Sequence, residues 1–188
     1  MSAMQQAWDF ELSSALAAHR PTLGWLPDHL IRIVPNEPIR AHLLSMASDL
    51  CDAGHVHLDI IMWLLTDTEL QSVIVSEEHY DRGPESVDTT FETTMSCHPL
   101  DTIVGTQIST ASHPDGLQLD VSLAVMLNTP GQTGHADPIS LEDPDVIGYA
   151  LSMQPQSLSF TVGPEKTDEL IAFGRDLLDA RTTSRLQD

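Results

Sequence analysis

The run His55-Val56-His57-Leu58-Asp59 places two imidazoles and a carboxylate at alternate positions in this chain of 188 residues. On an extended strand, alternate side chains share a face, so His55, His57 and Asp59 would point the same way and offer nitrogen and oxygen donors to a metal. A three-ligand site of this kind is the basis of a metal-dependent small-molecule enzyme. A fuller ligand set would need a further carboxylate a few residues on, where Ile61, Met62 and Trp63 stand instead. His135 follows the nearest glycine-containing turn at the wrong spacing, and the competing reading is a solvent-facing strand end.

Other constellations are weaker. Cys97 and His98 are sequence neighbours, so on a strand they face opposite ways and form no local nucleophile–base pair. Glu77, Glu78 and His79 fall at a strand end before a loop and read as solvated charge. The acids Asp137, Glu142, Asp143 and Asp145 do not follow an EF-hand spacing and read as an acidic surface loop. The sequence contains no nucleophile elbow, phosphate-binding glycine loop or His-Glu-x-x-His motif. No cofactor is expected.

Charge narrows the partners. The formal net charge is -20, from 8 bases and 28 acids, and Lys166 is the only lysine. Residues 41–174 hold 21 of those acids beside Arg82 and Lys166 alone, whereas residues 1–40 and 175–188 are close to neutral. Nucleic acids and anionic lipid surfaces are held by clustered Lys and Arg, so neither is an expected partner. An acidic surface repels like fields and steers basic proteins toward it. Cys51 and Cys97 form no C-x-x-C pair and no disulfide framework. The N-terminus lacks the basic and apolar regions of a signal peptide, and the longest apolar run, Ile60–Leu65, is far below the roughly 20 residues of a membrane span. The cytoplasm is therefore the expected compartment.

Helices and strands must position these residues. Met4, Trp8, Leu12 and Ala15/Leu16 predict a helix over about 3–18, and Leu30, Ile31 and Val34 predict a second near 26–34, with Pro27 in its first turn. Trp8 and Trp25 are read as packing residues. From Ile39 onward the pattern becomes β. Strands are expected around 42–46, 56–64, 70–75, 89–96, 102–109, 117–126 and 157–162, with a His113-Pro114-Asp115-Gly116 hairpin turn. Residues 128–148 read as a long irregular loop. A closing helix over about 164–181 presents Leu170, Phe173, Leu177 and Leu178 as its apolar stripe.

This order predicts an α+β fold: a seven-stranded antiparallel barrel or sandwich capped by a C-terminal helix, with N-terminal helices. It looks like the pleckstrin-homology-like fold, and Ile60–Leu70, ending Leu-Thr-Asp-Thr-Glu-Leu, resembles the Leu-Thr-x-x-Arg-Leu hairpin of its bacterial members. Gly24-Trp25-Leu26-Pro27, Trp63–Leu70, Pro99–Val104 and Ile171-Ala172-Phe173 further resemble a family of uncharacterised actinobacterial proteins. Two departures stand out. Glu69 replaces that family's basic hairpin residue, and the loop Ala136-Asp137-Pro138 to Asp143-Pro144 lacks the cysteine through which relatives would hold metal.

Three units are expected: an N-terminal helical extension packed on the core (1–38), the barrel with its helix (39–181) and a flexible tail (182–188). The combined reading is a non-enzymatic cytoplasmic protein-interaction module, with Asp67, Glu69, Glu77 and Glu78 as the acids that meet a basic partner, or with a sheet edge as the contact. The rivals are the metal enzyme built on His55, His57 and Asp59, and a self-associating structural protein, a homodimer seamed by the Trp8 and Trp25 helices.

Overall fold

The computed structural model describes residues 3–34, 37–50, 56–81, 87–114, 116, 118–128, 135–140, 147–152 and 156–185. Among the described residues two helices, α1 (Ala3–His19) and α2 (Leu26–Ile33), precede nine strands. These are β1 (Ala41–Leu50), β2 (Val56–Leu65), β3 (Glu69–Asp81), β4 (Val87–Pro99), β5 (Ile103–Ser112), β6 (Gln118–Leu127), β7 (His135–Ser140), β8 (Ile147–Ser152) and β9 (Gln156–Val162). A long helix, α3 (Thr167–Arg185), follows. Every strand pairing among the described residues is antiparallel. One sheet runs β1-β2-β3-β4, a second β5-β6-β9, and β7 pairs with β8 as a separate hairpin.

The α+β class, the seven strands in two antiparallel sheets and the C-terminal helix agree with expectation. The barrel does not: among the described residues no pairing joins β4 to β5 or β1 to β9, so the two sheets remain open to each other. The expected loop over 128–148 is also corrected, because β7 and the start of β8 lie within it. Proline and glycine at 130, 131, 134 and 138 hid a short hairpin, since Pro138 can occupy a strand that has only one neighbour.

The sequence of β2 explains the layering. Leu58, Ile60, Met62 and Leu64 alternate with Trp63 and Leu65, and all six are buried. A strand buried on both faces reads as a continuous apolar run rather than an alternating one, which is what Ile60–Leu65 is. The even-numbered set packs with Val73 and Val75 beneath α1 and α2, against Trp8, Leu12, Leu16, Leu26 and Leu30. Trp63 and Leu65 face the second sheet, among Val121, Leu123, Val125, Phe160 and the α3 residues Leu170, Phe173 and Leu177. The Trp63 ring lies 5.3 Å from Phe160 and 6.2 Å from Phe173, tying both sheets to α3. Each such large apolar side chain contributes about 1.5–3 kcal/mol on burial.

Local chemistry sets the turns. Thr66 is fully buried, and its Oγ1 accepts from the Thr68 and Glu69 amides while Thr66 N donates to Glu69 O, closing the β2–β3 hairpin. In the β5–β6 hairpin Gly116 has φ 89°, a left-handed conformation that favours glycine, and its amide donates to His113 O.

Three smaller expectations are revised. Trp8 is buried, but Trp25 is 48% exposed and packs edge-on with His29 and Phe91, because it stands at the α2 N-cap rather than on the stripe. The stripe of α3 continues from Leu177 to Ala180, and Leu178 is 41% exposed. That helix also runs to Arg185, so residues 182–185, expected as tail, are helical; Thr182 and Thr183 donate through Oγ1 to Leu178 O and Asp179 O within it.

Candidate functional site

His55 lies outside the described residues. His57 is half-buried, and its Nδ1–H donates to Glu77 O at 2.8 Å. The ring packed on it is not a ligand partner from β2 but His79 of β3, edge-to-face at 4.5 Å. His79 Nε2 in turn donates to Val56 O, and Thr89 Oγ1 meets its Nδ1. Asp59 is half-buried two residues along from His57. Among the described residues no group of three His, Cys, Asp or Glu side chains is placed to hold a metal ion.

Glu77 is the residue that changes most between sequence and structure. Expected as a solvated docking acid, it is 3% exposed. Its Oε1 accepts from Arg20 Nη2, its Oε2 accepts from the Leu58 amide, and His79 Nε2 stands 3.7 Å away. The β2–β3 ladder ends at Asp59 and Ser76 among the described residues, so the carboxylate supplies an acceptor for the Leu58 amide. A signal for this was present. Val73, Val75 and Glu77 lie at period two on β3, the row that α1 and α2 cover.

The other expected docking acids do not gather into one patch. Asp67 is exposed and paired with Arg40 at 3.1 Å, and Glu69 accepts from Gln71 Nε2 at 2.8 Å. Glu78 is exposed at the far end of β3, roughly 30 Å from Glu69 at the usual strand rise. Beside Glu69, burial and then the carboxylate's negative charge raise the Cys97 thiol above its ordinary pKa. Burial lowers the pKa of neighbouring His98, with Glu69 acting partly against it. Cys97 pairs opposite Gln71 and His98 opposite Leu70, on successive register positions that face opposite ways.

A second cluster joins three elements that sequence reasoning left separate. Glu11 of α1 accepts from His42 Nε2 of β1 and from Lys166 Nζ, both at 2.9 Å. Lys166 Nζ also donates to Leu44 O at 2.9 Å. The His42 hydrogen bond, together with Lys166, outweighs the opposing effect of burial and holds the Glu11 carboxyl down at about 2. Lys166 therefore satisfies an acceptor on β1, which borders its sheet.

The remaining sheet borders differ. On β4 the exposed Glu92 places a charge along the strand. β5 has ten residues, Ile103–Ser112, with no charge and no proline, and pairs only with β6 among the described residues. Register irregularities fall at its two ends, leaving a regular stretch from Gly105 to Ala111. Val104 and Ile108 are 46% and 44% exposed. Lysines, other charges, prolines and bulges are how sheets blunt their borders against further pairing, and the middle of β5 has none of them.

No helix among the described residues is long and apolar enough to cross a membrane. No protein-family model, curated protein or solved structure matches this chain.

Proposed function

We propose that this protein is a non-enzymatic, cytoplasmic protein-interaction module with a pleckstrin-homology-like core, and that its partner adds an extended segment along β5. The observation that carries this reading is the border of β5, which is regular, uncharged and partly apolar over Gly105–Ala111. Such a border offers unpaired backbone groups to an incoming strand, while its alternate side chains select sequence. The two-sheet order followed by a capping helix supports the fold assignment, with the β7–β8 hairpin as an insertion before the last strand.

The partner segment is basic. A molecule of net charge -20 accelerates the approach of cations and slows that of anions. Nucleic acid and anionic membranes are correspondingly disfavoured. Asp67, Glu69 and Glu78 contribute to the long-range field rather than to a single contact, and Glu77 serves the fold.

The test is affinity capture from the native cell with the wild-type chain and with Ile108→Lys, which sets a charge on the partly exposed border. A basic partner retained by the wild type, released by salt and lost from Ile108→Lys supports the reading. Equal retention by both proteins removes β5 as the contact, and an acidic partner removes the electrostatic argument.

A further inference from the structure

A cavity of about 280 Å³ lies between α1, β1 and the turn from β9 into α3. It sits near the lower limit of small-ligand sites, about 300–1,000 Å³. Ala15, Leu44 and Val162 give it an apolar wall, and its charged lining is Glu11, Glu165 and Lys166. These three sum to one negative charge. Glu11 and Lys166 are committed to each other, with Lys166 Nζ held also by Leu44 O and Glu11 held also by His42. Glu165 is different. It is exposed and makes no hydrogen bond or ion pair among the described residues, and its carboxylate lies over Gly163. A Cβ on Gly163 would lie 2.5 and 2.6 Å from the two carboxylate oxygens, so the absence of a side chain there is what admits them.

We propose that this cavity binds a small organic monocation, an amine whose ammonium pairs with Glu165 and whose apolar body rests on Ala15, Leu44 and Val162. One positive charge neutralises the lining. The committed pair of Glu11 and Lys166 leaves Glu165 as the acceptor for the ligand's N–H groups, and charge-assisted hydrogen bonds of this kind are the strong ones. The protein's overall field concentrates cations at the opening. The site is independent of the β5 border and of the reading built on it.

Isothermal titration with phenethylamine, phenylacetate and 2-phenylethanol separates charge from shape, because the three share an aromatic body and differ in head group. Binding of the amine alone is expected. Glu165→Gln should weaken it at least tenfold with an unchanged thermal unfolding midpoint, since that carboxylate has no described partner to lose. Gly163→Ala should weaken it as well, by displacing the carboxylate from its place over residue 163. Lys166→Met should strengthen it, because the lining then carries two negative charges; a merely structural cavity would show no such reversal. The proposal is overturned by equal binding of the acid or the alcohol, by undiminished affinity in Glu165→Gln, or by no amine binding at millimolar concentration.

Discussion

Replacing Arg20 by Met tests whether Glu77 is held by its ion pair. The Glu77 side chain is 2% exposed and that of Arg20 is 28% exposed. Removing one partner of a fully buried pair costs about 3–5 kcal/mol, because the surviving charge is left without compensation. Water can enter where the partly exposed guanidinium was, and the Leu58 amide still donates to Glu77 Oε2, so about 2–3 kcal/mol is the expected loss here. Glu77→Gln should cost less, about 1–2 kcal/mol. The amide oxygen still accepts from Leu58, and the abandoned Arg20 turns toward solvent. In the double variant the buried charge is gone before its partner is removed, so the losses should fall short of their sum by about 1–2 kcal/mol. The assay is urea unfolding at pH 7, with equal m values required so that midpoints report stability. For a chain of this size the Arg20→Met loss corresponds to a fall in Tm of about 5–10 °C. Additive single losses, or a greater loss for Glu77→Gln than for Arg20→Met, would refute the argument that burial of an uncompensated carboxylate decides the cost.

Two further outcomes follow from the titrating groups. Glu11 is held at about 2 against an ordinary 4.5, so its contribution to stability is complete above pH 4.5 and is lost as pH falls from there toward 2. Glu11→Gln should therefore flatten the loss of stability between pH 5 and pH 2.5, as followed by denaturant titration at each pH, and an unaltered slope contradicts the pairing with His42 and Lys166. Burial and Glu69 raise the Cys97 thiol, so its thiolate fraction at neutral pH is depressed although the residue is exposed. Alkylation of the Cys97 peptide, timed by mass spectrometry at pH 7.5, should be slow and should accelerate in Glu69→Gln; an equal rate in the two proteins discards the role of that carboxylate.

The architecture was legible wherever a local period was long enough to show. The β2 run, the turn at His113–Gly116 and the helices on either side of the sheets are properties of neighbouring residues, and their backbone preferences act over a few positions. The β7–β8 hairpin was illegible because Pro138 and the surrounding glycines carry the composition of a loop. The exposure of Trp25 was likewise hidden, because an aromatic residue at a helix cap has the same local sequence whether or not another layer covers it.

The sequence by itself determined the charge excess, the single lysine and the two-sided apolar character of β2, since these depend on which residues are present and in what order. Tertiary structure alone decided which acids meet solvent. Glu77 and Glu78 are adjacent in sequence, yet one is buried against Arg20, 57 residues away, and the other is exposed. Lys166 meets Glu11 across 155 residues. A charge's environment depends on partners brought by long-range packing, and no period along the chain encodes them. For the same reason the uncharged composition of β5 was readable in advance, whereas its position at the border of a sheet was set only when β6 and β9 paired beside it.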